Sequence, residues 1–323
     1  MSERFDIAGK RVWVAGHNGM VGAALLRRLA AEGCKLLTVS RAELDLTRQA
    51  EVEAWVQRER PEVVIVAAAK VGGILANDSL PADFLYANLM IEANILNAAA
   101  QAGVRKLLFL GSSCIYPRDA AQPMQEDSLL TGPLEATNEW YAIAKIAGIK
   151  LGQAYRKQHG LDMVSAMPTN LYGPGDNFDL KGSHVLPALM RKADEAKGNG
   201  GDLVVWGSGR ALREFMHVDD CADALVFLLK NYSGYEHINV GTGEEVSIAQ
   251  LARAVAETVG FEGRLVFDAS KPDGTPRKLM DSSRLHELGW RSRIGLKSGL
   301  ATTYEWYKAH RQSARGMAEG AHV

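Results

Sequence analysis

Three glycines spaced three apart, Gly16, Gly19 and Gly22, restrict this chain's fold more than any other feature. With His17, Asn18, Met20 and Val21 between them, they join a short apolar run at residues 11–15 to a stretch at 20–32. That stretch is apolar at Val21, Leu25, Leu26 and Leu29, a helical spacing, and the run before it reads as a strand. Glycine at such a joint permits a tight turn, close approach of the backbone to an anion, and close packing of helix on strand. The helix N-terminus then offers that anion unpaired N–H groups and a partial positive charge. Taken alone, three glycines are also an ordinary turn. Their place between a first strand and a first helix favours the pyrophosphate of a dinucleotide.

The alternation continues. Further strands are expected at residues 36–39, 63–69, 106–111 and 162–167. Helices are expected from an N-cap at Thr47 to about Arg58, at 82–102 and at 138–159. Strand and helix in turn imply an α/β fold, a Rossmann-type doubly wound parallel sheet with helices on both faces. After Tyr172, Gly and Pro interrupt the pattern, and short strands are expected at 203–206, 237–240 and 264–267. The expected division is a dinucleotide-binding domain at 1–172 and a smaller, mixed α/β, mainly substrate-binding domain at 173–312. Some segments of the second should return to the first, with a disordered tail at 313–323.

Composition narrows the partners. Formal net charge is −1, so no field draws a polyanion, and nucleic acid is not expected. No apolar run approaches the roughly 18 residues that span a bilayer, and no membrane association is expected. The first residues lack a basic segment followed by an apolar one. Cys34, Cys114 and Cys221 are odd in number and unclustered, which disfavours disulfides and metal sites and fits a reducing, cytoplasmic setting.

Residues beyond the strand ends carry the chemistry. At the end of the second strand Arg41 stands where NAD sites usually place an acid. A guanidinium there pairs with a 2′-phosphate and favours NADP(H), unless it is simply a solvated side chain. Tyr141 and Lys145, four apart in a predicted helix, share one face. An ammonium beside a phenol lowers its pKa, so the phenol can trade a proton with a carbonyl or hydroxyl. The same spacing is also common in plain amphipathic helices. Leu110, Gly111, Ser112 and Ser113 end the fourth strand, where open sheets bind ligands. Ser112 and Cys114, two apart, point the same way if the segment is extended. Ser112 can then hydrogen-bond a substrate oxygen, while Cys114 is either a buried hydrophobe or a reactive thiol. Pro168, Thr169, Asn170 and Leu171 follow the fifth strand, where they could line the nicotinamide end. His184 precedes a helix, as a cap or as a functional imidazole.

Together these segments, with 67–73, 109–117, 167–174, 183–187, 205–209, 213–220, 239–243 and 267–278, resemble the extended short-chain dehydrogenase/reductase family over almost the whole chain. The likeness is greatest to its epimerase–reductases of GDP-linked 4-keto-6-deoxyhexoses. The glycines and the Tyr141/Lys145 pair specify only the superfamily. The run 111–117 with its cysteine, the histidine at 184 and the run 271–278 are more specific.

The resemblance implies a nucleotide-sugar substrate, GDP-4-keto-6-deoxy-D-mannose, epimerised at C3 and C5 and then reduced at C4 with NADPH. It implies Cys114 as base, His184 as acid and Tyr141 as proton donor to the C4 oxygen, with Ser112 beside it. Lys145 would tune Tyr141 and hold the nicotinamide ribose. His184 also belongs among the cofactor contacts. Lys192, Trp206, Arg213 and Asp273 match substrate-binding positions. A homodimer is implied by analogy. Two positions depart from the family's pattern: Asn18 stands where a basic residue is frequent, and Lys192 where arginine is. Other readings are a 4-epimerase, a 4,6-dehydratase or a non-catalytic dinucleotide sensor. A dehydratase would carry a glutamate where Cys114 stands, and a sensor would be expected to have lost Ser112, Tyr141 or Lys145.

Overall fold

The computed structural model describes residues 4–180, 182–271 and 273–317 of the 323. In chain order the elements are β1 (Arg11–Ala15), α1 (Met20–Leu29), β2 (Lys35–Leu37), α2 (Gln49–Glu59), β3 (Val63–Val66), α3 (Ile74–Ser79), α4 (Pro81–Gln101), β4 (Lys106–Leu110), α5 (Glu139–His159), β5 (Met163–Pro168) and β6 (Asn170–Tyr172). There follow α6 (Val185–Asn199), β7 (Leu203–Trp206), β8 (Leu212–His217), α7 (Val218–Asn231), β9 (Ile238–Val240), β10 (Glu245–Ser247), α8 (Ile248–Val259), β11 (Leu265–Asp268), β12 (Arg277–Lys278), α9 (Ser283–Glu287) and α10 (Leu296–Ala309).

Among the described residues the main sheet has six parallel strands in the order β2-β1-β3-β4-β5-β9. This is a doubly wound, Rossmann-type sheet. Strand order reverses between β1 and β3, so a crevice opens beyond their carboxyl ends, where such sheets take ligands. The central strands are apolar on both sides because helices cover both faces. On one face α1 and α7 bury Leu25, Leu29, Leu225 and Leu228 against Val12, Val14 and Ile65. On the other, α2, α4 and α5 bury Val52, Ile95 and Ile149 against Trp13, Val64 and Phe109. A third core joins α6, α8 and α10 around Leu189, Leu251 and Tyr307. Beside it β8 pairs with β6, β10 and β12, and β7 pairs with β11.

Several sequence expectations shift. Thr47 does not cap α2: its backbone N–H and hydroxyl both donate to Asp45, and Arg48 takes the N-cap position. β2 stops at Leu37, the last residue paired with β1, opposite Trp13. β3 stops at Val66, where Ala67 N–H turns to the Ala15 carbonyl and Ala68 packs under Gly16. The expected disordered tail is docked as far as Met317. Phe178 N–H donates to the Arg315 carbonyl at 2.9 Å, Arg191 donates to the Gly316 carbonyl at 3.0 Å, and Ala314 is buried. The rest of that tail, 318–323, lies outside the described residues.

Candidate active site

The dinucleotide end is built from backbone. Gly16 sits at φ +87°, and a Cβ there would lie 2.6 Å from Ala68 N. A Cβ on Gly22 would fall on the Gly16 carbonyl oxygen. Gly19 is the N-cap of α1 and places no side chain on its first-turn N–H groups, and no acid occupies that turn. The turn is therefore an open cradle for an anion, and its residues fit a dinucleotide pyrophosphate. Gly111 and Ser112 beyond β4 and Thr169 beyond β5 stand at the same edge of the sheet. The Asn170 carboxamide is spent on the Glu214 carbonyl, at 2.8 Å.

Past β2, Arg41 is exposed and makes no hydrogen bond or ion pair among the described residues. One neighbour was not anticipated. Glu43 accepts both the N–H and the hydroxyl of Ser40, at 3.1 and 2.7 Å, and those bonds hold its carboxyl below the usual range. A carboxylate is thus held on Ser40, the residue preceding Arg41.

The reaction end is built from side chains. After Ser112 the chain enters a 3₁₀ turn over Ser113–Ile115, so the extended segment expected from the spacing is absent. Ser112 Oγ instead accepts the Cys114 N–H at 3.4 Å, which still leaves the hydroxyl beside the thiol. Tyr116 pins the far side of this turn: its buried hydroxyl donates to Asn239 Oδ1 at 2.5 Å and meets His237 at 3.1 Å. Burial pushes the Cys114 thiol up, while the charges of Lys278 and Lys145 and the Ser112 hydrogen bond pull it down.

Tyr141 and Lys145 share a face of α5, with Lys145 Nζ 5.7 Å from the Tyr141 ring centroid. The expectation that the ammonium lowers the phenol's pKa is overturned. Burial raises Tyr141 well above its ordinary value, and the charges of Cys114 and Glu92 raise it further. Burial is the main cause; Glu92 on α4 adds to it, its carboxylate pairing with the Lys145 ammonium at 2.8 Å in a pair that is 2% exposed on both sides.

His184 is the N-cap of α6 but makes no side-chain cap bond. The residue is exposed at the start of α6, and desolvation and the Lys278 ammonium hold the imidazole below its ordinary value. The charge of Lys278 bears on both Cys114 and His184. β12 pairs with β8 so that Lys278 stands opposite Arg213.

At the outer end Trp206 is 55% exposed, with Lys192 and Lys271 at 5.0 and 5.6 Å from its ring centroid. The Asp273 carboxylate does not stand free. It accepts the N–H and hydroxyl of Ser208 at 2.6 and 2.8 Å, clamping the turn after Trp206. Pro272 lies outside the described residues. No cluster of His, Cys, Asp or Glu able to hold a metal occurs among the described residues, and no described helix is long and apolar enough to cross a membrane.

Sequence reading missed Glu43, Glu92 and Lys278. Glu92 had a signal, as the one charged residue between Asp83 and Arg105 in an otherwise apolar helix. Lys278 had none of its own, because only strand pairing brings it to the cleft.

Residues 12–241 match the model of the NAD dependent epimerase/dehydratase family. A GDP-L-fucose synthase of Sinorhizobium fredii is 63% identical over 298 residues, covering 92% of this chain and 95% of that protein. A GDP-L-fucose synthase of Escherichia coli is 54% identical, covering 95% of this chain and 99% of its own. The crystal structure of a GDP-L-fucose synthetase from Naegleria fowleri bound to NADP superposes with a TM-score of 0.92 at 30% identity, covering 98% of each chain.

Proposed function

The chain belongs to the NAD dependent epimerase/dehydratase family, and we propose that it converts GDP-4-keto-6-deoxy-D-mannose to GDP-L-fucose, inverting C3 and C5 and then reducing the C4 ketone with NADPH. What supports this reading is that the Cys114 thiol lies beside the Ser112 hydroxyl and acts by charge on Tyr141, while the Lys278 charge bears on both Cys114 and His184. A reductase or a 4-epimerase needs a tyrosine; it does not need a thiol and an imidazole as well. The names of the relatives support the same choice of substrate.

The C4 ketone acidifies the protons at C3 and C5, since the enolate oxygen can be stabilised. Tyr141 and Ser112 hydroxyls would donate to that oxygen. Cys114 as thiolate takes the proton from one face of the ring, and His184 as imidazolium returns one to the other. In the free protein burial favours the thiol, and desolvation with the Lys278 charge favours neutral imidazole. The working state is reached by moving one proton from sulfur to nitrogen, and the Lys278 charge stabilises the thiolate side of that exchange.

The turn at 16–22, with Arg41 and Lys145, would hold the dinucleotide, which supplies hydride to C4 when bound. Tyr141 then gives its phenolic proton to the C4 oxygen. A phenol held protonated by its surroundings suits that task. Arg213 and Lys278 present cations for the diphosphate, and Trp206 with Lys192 a face for the base. A cytoplasmic homodimer belongs to the same proposal: Tyr86, Trp140 and Ile143 stand exposed on α4 and α5, the surface a dimer would cover. Incubation with NADPH and GDP-4-keto-6-deoxy-D-mannose should consume NADPH absorbance and yield GDP-L-fucose. Absence of turnover by folded protein that binds NADPH would count against the reading.

A further inference from the structure

The Glu92 carboxylate has one polar partner. Lys145 Nζ is 2.8 Å from Oε1, and no other donor among the described residues reaches either oxygen. The opposite helix makes room for it. A Cβ on Gly148 of α5 would lie 2.6 Å from Glu92 Oε2 and 2.5 Å from Phe109 Cζ. The same ammonium lies 4.9 Å from the Phe109 ring centroid and 5.7 Å from that of Tyr141.

Such a pair adds little stability, because desolvating two charges offsets most of their attraction. Its position suggests another use. We propose that Glu92 is a positioning residue for the reduction: its side chain holds the Lys145 ammonium in place beside the Tyr141 phenol. The proposal rests on the assignment of Tyr141 and Lys145 to ketone reduction.

The titratable groups around the pair are Tyr141 from α5, which feels the Glu92 charge, and Cys114 from the turn after β4, which interacts with Tyr141 and Lys145. β4 contributes the uncharged ring of Phe109. The sign follows from these charges. Turnover falls as pH rises through the apparent pKa of the Tyr141–Lys145 pair, because the reduction consumes the tyrosine's proton. A negative charge beside an acid opposes proton loss. Burial pushes the Glu92 carboxyl up and the Lys145 charge and hydrogen bond oppose that, so to the extent that it is ionised Glu92 holds this basic limb up, and replacing it by an amide lets Tyr141 deprotonate at lower pH.

The test is the pH dependence of NADPH oxidation, at saturating GDP-4-keto-6-deoxy-D-mannose, by the wild type, Glu92→Gln and Glu92→Asp. Wild-type turnover, measured first, tests the functional reading separately. The Gln variant should show its basic limb about one pH unit lower, with kcat falling more than KM changes. The Asp variant keeps the charge, so its limb should stay at the wild-type position although kcat falls. A folded Gln variant with an unmoved limb would overturn the proposal. So would an Asp variant whose limb moves, and that variant carries the test alone if the Gln protein does not fold.

Discussion

The two ends of the cleft are made of different material. At the dinucleotide end the contacts are backbone, a turn whose residues are consecutive and whose only demand is the absence of side chains at Gly16 and Gly22. At the proposed sugar end the candidate groups are side chains: Ser112 and Cys114 from one turn, Tyr141 and Lys145 from α5, His184 from the start of α6, and Arg213 and Lys278 from paired strands. A backbone site fails when atoms are added. A side-chain site fails when one functional group is removed, and the fold survives.

The largest effect should come from the sugar end. Tyr141→Phe removes only the phenolic proton donor, so C4 reduction should fall by roughly 10²–10⁴-fold while NADPH still binds. Near-normal NADPH turnover by that variant would remove Tyr141 from the mechanism. The reciprocal change at the other end is Gly22→Ala. Its methyl group meets the Gly16 carbonyl, and the helix must move off the turn. Overpacking of this kind costs about 1–3 kcal/mol. Thermal melts should show the loss, and NADPH and NADH binding should weaken together. A variant of wild-type stability and affinity would mean that α1 does not press on the turn.

Arg41→Ala sharpens the contrast inside the dinucleotide end, since Arg41 is the side chain proposed there for the 2′-phosphate. NADPH affinity should fall roughly tenfold, a charge-assisted contact discounted for exposure, and NADH affinity should hold. Equal losses for both cofactors would contradict the assignment. An effect of similar size is expected from Lys278→Met. With the ammonium gone the Cys114 thiol rises further, so alkylation of Cys114, followed by peptide mass spectrometry near pH 8, should slow by about tenfold. An unchanged rate would place Lys278 away from the thiol. Cys34 and Cys221, on other elements, serve as internal references.

The same division explains what could be read in advance. The parallel sheet, the glycine turn and the Tyr141/Lys145 face are short-range patterns, so periodicity and spacing exposed them. Cys114 and His184 entered through a family resemblance, because nothing local distinguishes a reactive cysteine from a buried one. The geometry around Cys114 was read as extended and is a 3₁₀ turn, since two residues of spacing do not specify φ and ψ. The sign of the Tyr141 shift was misread for a tertiary reason. Lys145 is one turn away in sequence, but packing buries the phenol, and Glu92, from another helix, pairs with the ammonium. Asp273 looked like a free ligand and is a clamp on Ser208, a partner 65 residues distant.

The account's central claim is that two groups from different segments, Cys114 and His184, flank the sugar for inversion and that the reduction needs neither, its proton coming from Tyr141. Solvent deuterium incorporation at C3 and C5, followed by mass spectrometry and NMR in heavy water, tests it most directly. The wild type should exchange both positions. Its rate should stay level across the interval from about pH 6.5 to about 9, because the imidazole is lowered from 6.5 and the thiol raised from 9.0, which moves both limbs outward. Below the imidazole's pKa the thiolate disappears, and above the thiol's pKa the imidazolium does. His184→Gln should slow inversion and leave residual exchange. Cys114→Ser should abolish exchange at both carbons while the fold and NADPH binding persist. A Cys114→Ser protein that exchanged and inverted both centres at the wild-type rate would make the thiol an ordinary buried side chain and contradict the account.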